Sequence, residues 1–150
     1  MKKIIILMLL ISLLALSGCR KEYEETVNED QILIVLNIKA EDIHLIVFAY
    51  SLDGEPMGIR ESGHVDGSAI EGKFFEYMEK EDFPENASLE NFAFSVGFSD
   101  DVGDSIMNEN HHGRNGTTEE SEAFKLEYGK IYHFDVTGSY DDGFILTATD

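Results

Sequence analysis

Phe92-Ala93-Phe94-Ser95-Val96-Gly97-Phe98-Ser99 alternates a large apolar side chain with a small one at every step. Successive side chains of an extended chain point to opposite faces. The pattern therefore predicts a strand with Phe92, Phe94, Val96 and Phe98 in a core and the small residues facing away. The same period of two recurs downstream. Phe124, Leu126 and Tyr128 alternate with Ala123, Lys125 and Glu127. After a turn at Gly129-Lys130, Tyr132, Phe134 and Val136 alternate with Ile131, His133, Asp135 and Thr137. Tyr140-Asp141-Asp142-Gly143 then turns the chain into a last strand at 144–149.

Upstream, residues 31–39 are rich in β-branched side chains, with Ile32, Ile34, Leu36 and Ile38 on one face and Leu33 and Val35 on the other. Apolar residues on both faces predict partial cover on both. A second apolar run at 43–52 ends at Asp53-Gly54, a hairpin-turn signal, with 55–60 as the return strand. Asp66-Gly67 marks another turn, and 73–78, carrying Phe74, Phe75, Tyr77 and Met78, another strand. Phe83-Pro84 breaks that element, and one helical turn is expected at 85–90. Residues 100–120 are rich in Gly, Asn and acid and predict a long loop. The sum is seven or eight short strands and no helical period. The expected fold is all-β: a small antiparallel β-sandwich of two packed sheets, Ig-like in shape. It lacks the Cys…Trp…Cys core of true immunoglobulin domains, having no Trp and one Cys.

The amino-terminal end is different. Lys2 and Lys3 precede a 13-residue apolar run at 4–16, broken only by Ser12. Such a run fits a signal h-region and falls short of the ~20 apolar residues of a spanning helix. Leu16-Ser17-Gly18-Cys19 follows, and then the charged stretch Arg20-Lys21-Glu22-Tyr23-Glu24-Glu25. Leu16-Ser17-Gly18-Cys19 resembles the lipobox of bacterial lipoproteins, a resemblance that covers residues 1–20. It implies cleavage before Cys19, transfer of diacylglycerol to the Cys19 thiol, and acylation, as by palmitate, of the new amino group. Buried acyl chains contribute about 0.8 kcal/mol per methylene, so two or three chains anchor stably. The resemblance also implies a place on the extracytoplasmic face of a membrane. That is the plasma membrane in a Gram-positive cell, or the outer membrane in a Gram-negative one, because Arg20 rather than Asp follows Cys19. The expected organisation is a signal peptide at 1–18, an acylated Cys19 with a flexible tether at 19–30, and a β-sandwich at 31–150.

Losing residues 1–18 removes Lys2 and Lys3, leaving nine Lys and Arg against 30 Asp and Glu, a net charge of −21. Nucleic acid is excluded as a partner, since its phosphates would be repelled. Electrostatic docking on anionic lipid is disfavoured too. With Cys19 the only cysteine, the domain has no disulfide, no Cys-based metal site and no Cys nucleophile.

Candidate site residues are few. Acidic turns occur at Asp53 with Glu55, at Asp100-Asp101 with Asp104, and at Asp141-Asp142. Hard cations take several loop oxygens, which makes Asp100, Asp101 and Asp104 weak candidates for a metal site. His111 and His112, with Glu109, are weak candidates for a transition metal. His64, Asp66 and Ser68 contain the residue types of a catalytic triad, but residues two apart on a strand sit nearly ~7 Å apart at the backbone. His133 and Asp135 share a strand face as a surface pair. Ten Phe and six Tyr could line a carbohydrate or peptide patch, although most fall on core-facing positions. No catalytic residue and no cofactor beyond the Cys19 lipid is nominated. The expected function is a non-catalytic binding or interaction module of the cell envelope, with an envelope protein or glycan as partner. Binding of a metal or solute through the acidic or His-containing loops is the alternative. An envelope hydrolase with paired carboxylates is the third reading.

Overall fold

The structure, a computed structural model, describes residues 25–101 and 113–149. Cys19 and the signal, and Asp104, Glu109, His111 and His112, lie outside them. Eight strands among the described residues form two four-stranded sheets packed as a β-sandwich. In chain order they are β1 (Gln31–Ile38), β2 (Leu45–Leu52), β3 (Glu55–Gly63), β4 (Gly72–Glu79), β5 (Phe92–Ser99), β6 (Asn115–Thr117), β7 (Ile131–Ser139) and β8 (Gly143–Thr149). The first sheet runs β4-β1-β7-β8 and the second β3-β2-β5-β6.

The period-two pattern accounts for the core. Phe92, Phe94, Val96 and Phe98 of β5 are all fully buried, as are Ile32, Ile34 and Leu36 of β1. Phe94 stacks on Phe48 of β2 at 4.9 Å and meets Phe134 of β7 edge-on at 4.8 Å, so it reaches across the sandwich. Phe98 does the same against Phe144 of β8 at 4.6 Å. Asp53 and Gly54 both take positive φ, 53° and 79°, which is the two-residue hairpin geometry that Asp-Gly favours.

Both faces of β1 are covered, as its sequence predicts. Outward-facing Leu33 and Val35 are 0% exposed. Their cover includes the segment before β1. Glu25 bridges Lys73 of β4 and His133 of β7, the latter at 3.3 Å, and so lies over β1 between them. Asp30 pairs with Lys80. Glu25 and Asp30, both within the stretch expected as tether, are thus each paired with a lysine of the domain.

The structure corrects five other expectations. The sheets are not wholly antiparallel: β1 and β7 pair in parallel, from Leu33↔Ile131 to Ile38↔Val136. No hairpin links two strands so far apart in sequence, so nothing forces them to run antiparallel. The alternating residues 124–128 form no strand. Phe124 exchanges backbone bonds with Phe92, but β5 begins at Phe92, so the segment runs off the end of its ladder. A short strand, β6, lies inside the expected loop 100–120 and pairs with Gly97–Ser99. A 3₁₀ turn forms at Lys80–Asp82, before Pro84, and residues 84–87 make only a β-turn closed by Ala87 N–H on the Pro84 carbonyl at 3.0 Å. The return strand of the first hairpin extends past Arg60 to Gly63.

Phe94 touches aromatic rings on both sheets, so Phe94→Ala leaves a cavity that neither sheet can close alone. Its expected cost is about 4 kcal/mol, read from guanidinium unfolding of the full chain. A loss below about 1 kcal/mol would mean the core repacks around the gap.

Candidate functional site

An ion cluster sits where the edge strands of the two sheets meet. Glu76 faces inward from β4, between Phe74 and Met78, and is only 6% exposed. Arg60 of β3 reaches across from the other sheet and pairs with Glu76 through Nη1 and with Asp82 through Nη2. It also donates to the Tyr77 carbonyl at 2.7 Å. The 3₁₀ turn fixes Asp82, whose Oδ2 accepts the Glu79 backbone N–H at 2.7 Å. The guanidinium lies 6.0 Å from the centre of the Tyr50 ring, and the Tyr50 hydroxyl donates to the Asp82 carbonyl at 3.4 Å. Burial pushes the Glu76 carboxyl above the usual range, and Arg60 pulls it only part of the way back. Burial pulls Arg60 down, but its bonds to Asp82 and Glu76 outweigh that and hold it charged. With its carboxylate held by Arg60, Glu76 serves as an inter-sheet clasp.

The Asp100 region is also occupied by an arginine. Asp100 accepts from the Arg114 backbone N–H at 2.7 Å and from Arg114 Nε at 2.6 Å, which holds Asp100 and Arg114 together. The Arg114 side-chain bond is the main reason the Asp100 carboxyl sits below its ordinary range. Arg114 also reaches Asp42 at 3.5 Å and lies 4.7 Å from the centre of the Tyr140 ring. Asp101 donates its backbone N–H to Ser99 Oγ at 3.1 Å. Asp53 accepts from Asn91 at 2.7 Å, and Asp142 bonds Ser139 within its own turn at 3.1 Å. Among the described residues no group of three or more His, Cys, Asp or Glu is placed to hold a metal ion.

His64 and Ser68 are brought together, with 2.7 Å between Nδ1 and Oγ. Asp66 does not complete a triad. Its carboxylate accepts the Ser68 backbone N–H at 3.0 Å, the bond that chiefly lowers its pKa, rather than holding the imidazole. The loop closes as a turn through Gly67 N–H on the His64 carbonyl at 2.9 Å, and Val65 beside it is fully exposed. His133 and Asp135 do not pair with each other. His133 faces Glu25, and Asp135 holds Lys39 and Asn37.

A concavity lined for the larger part by apolar surface lies elsewhere, between the extended segment 121–125 and the strands β7 and β8. It is a groove of about 710 Å³ floored by Phe124, Tyr132, Phe134 and Leu146, with Ala148 and Glu122 at its sides. Its size falls within the range of ligand pockets. Sequence reasoning missed it because its walls come from three separate segments, 121–125, 131–134 and 146–149, that converge only in the fold. The clasp had a visible signal: Glu76 occupies a core-facing position in an alternating strand.

No family model and no curated protein matches the chain. Solved structures similar to it include the following three. The membrane-binding domain of pneumolysin has a TM-score of 0.37 at 8% identity, over 80% of this chain and 96% of that one. A disulfide-locked mutant of intermedilysin with human CD59 has 0.32 at 13% identity, over 79% and 24%. A structure described as "Trapped Toxin" has 0.30 at 12%, over 79% and 23%. The chain thus spans about a quarter of the last two.

Because the folded Glu76 pKa is raised above 4.5, its contribution is fully present below that value and is lost as pH rises through the folded pKa. Glu76→Gln is therefore expected to be neutral or stabilising by about 1 kcal/mol at pH 7 and to flatten this pH dependence. Arg60→Ala strands a buried carboxylate and is expected to cost about 3 kcal/mol, most of it recovered when Glu76→Gln is added. Urea unfolding of the four proteins across pH 4–8 reads the cycle. A double variant as unstable as Arg60→Ala would overturn the clasp.

Proposed function

We propose that the chain is an exported lipoprotein, anchored through Cys19, whose β-sandwich is a non-catalytic binding module at the cell envelope. The observation that carries the anchor is Leu16-Ser17-Gly18-Cys19 at the end of a 13-residue apolar run, with a charged stretch immediately after it. The lipid is diacylglycerol on the thiol with an acyl chain such as palmitate on the amino group. It holds the domain outside the plasma membrane of a Gram-positive cell or on the outer membrane of a Gram-negative one. Glu25 rests on the domain, so the reach from Cys19 is at most about 20 Å for a fully extended chain. The fold is thus presented close to the membrane surface, with its 710 Å³ groove as the binding feature. The reading of a binding module is supported by how the polar groups are spent: the Glu76 and Asp100 carboxylates serve Arg60 and Arg114.

Cys19→Ala tests the anchor. The full chain expressed in a bacterial host is expected in the membrane fraction and to incorporate labelled palmitate. The variant is expected to lose the label and leave the membrane pellet. A variant that stays in the pellet would sink the proposal.

A further inference from the structure

A β-sandwich has four edge strands, each presenting a row of backbone N–H and C=O groups to solvent or to another chain. Three of those edges are blunted here. β3 carries Pro56, Glu55, Arg60 and Glu61, and pairs with β2 through a register shift at Tyr50/Ser51. β4 carries Lys73, Glu76 and Glu79 and is held by the Arg60 clasp. β6 is only three residues long. β8 is different: Gly143–Thr149 is seven residues with no charge and no proline. Beyond its start, where Gly116 of β6 rests against the Phe144 ring, no described element is hydrogen-bonded to its outer side. The apolar groove runs alongside this open stretch, with Leu146 and Ala148 among its walls, and Ile145 on the opposite face is 60% exposed.

We propose that β8 is a strand-addition site. In this site an extended segment of a basic partner protein pairs with residues 145–149, its alternate apolar side chains entering the groove. An added strand gains main-chain hydrogen bonds from the edge and specificity from the pockets beneath alternate residues. The sign of the partner follows from the charges nearby. The lysine at the groove is already answered: Lys125 by Glu90 at 3.2 Å and Glu127 at 3.4 Å. Glu122, exposed on the segment opposite β8, makes no ion pair among the described residues. The turn leading into β8 adds exposed Asp141 and Asp142. A second copy of this chain would bring the same acids to the same place and be repelled, whereas a basic strand is attracted.

This inference rests on the binding-module reading and not on the lipid, so the fractionation of Cys19→Ala stands apart from its outcome. The full chain in detergent is titrated at low salt with a short alternating valine–lysine peptide and with its valine–glutamate counterpart, and amide hydrogen exchange is followed. The lysine peptide is expected to bind at least about tenfold more tightly than the glutamate peptide. It is also expected to slow exchange at residues 145–149 without slowing it on β3 or β4. Equal affinities, no binding, or binding that leaves the β8 amides unprotected would each overturn the proposal. So would concentration-dependent dimerisation that protects β8 without peptide, which would assign the edge to a second copy.

Discussion

Ring contact between β5 and the opposite sheet is the interaction on which the rest of this fold depends. A domain with no cysteine beyond Cys19 has no covalent tie between its sheets, and only side-chain packing can hold them. Phe94 and Phe98 supply it by meeting Phe134 and Phe144 across the interior. Aromatic side chains suit this task because each buries a large apolar area and prefers the offset and edge-on geometries seen here. The central position of β5, between β2 and β6, lets Phe94 also pack sideways on Phe48. Loosening Phe94 therefore loosens both the sheet it belongs to and the sheet it faces.

Packing from β5 leaves the β3–β4 side of the sandwich to be closed by other means, and there the chain uses charge. Taking Glu76 out of water costs free energy that Arg60 offsets only in part, as the upward displacement of its pKa indicates. An apolar pair could close the same side at lower cost. What the ion cluster adds is direction: Arg60 reaches two carboxylates and a carbonyl on β4 and the following turn, and so fixes one edge strand against the other. It also places charge on two of the sandwich's edge strands, so closing the sandwich and protecting that side are one arrangement.

The sandwich was legible because burial on one face writes itself as alternation, which β5 and β7 carry, while β1 and β2, buried on both faces, read as apolar runs. The misread segment at 124–128 carries it too. Leu126 is 2% exposed, so the period is real, but it reports a buried face, and the backbone bonds of Phe124 to Phe92 and of Leu126 to Leu89 do not extend into a continuous ladder. Pairing is a property of two segments, and the sequence of one does not contain it. β6 shows the converse. Asn115-Gly116-Thr117 has no apolar period, yet it pairs with β5 because the Gly116 backbone can approach the Phe144 ring where a Cβ would overlap it. The parallel partnership of β1 and β7, and the groove beside β8, were hidden for the same reason. Each depends on how distant segments meet.

Anchoring changes what an open edge means. If the chain is held on a membrane by Cys19, its copies share a surface layer and meet far more often than free molecules at the same overall number. An uncharged seven-residue edge would then risk copy-to-copy pairing. The net charge of −21 is a weak defence at a distance, because at physiological salt charges are screened beyond about 8 Å. Only acids close to the edge can act at contact, and Glu122, Asp141 and Asp142 stand there. Two copies that bring β8 together must bring these acids together as well. The charges that keep like chains apart are the ones that would draw a basic strand in, so an edge left open here is selective by its surroundings rather than by its own sequence.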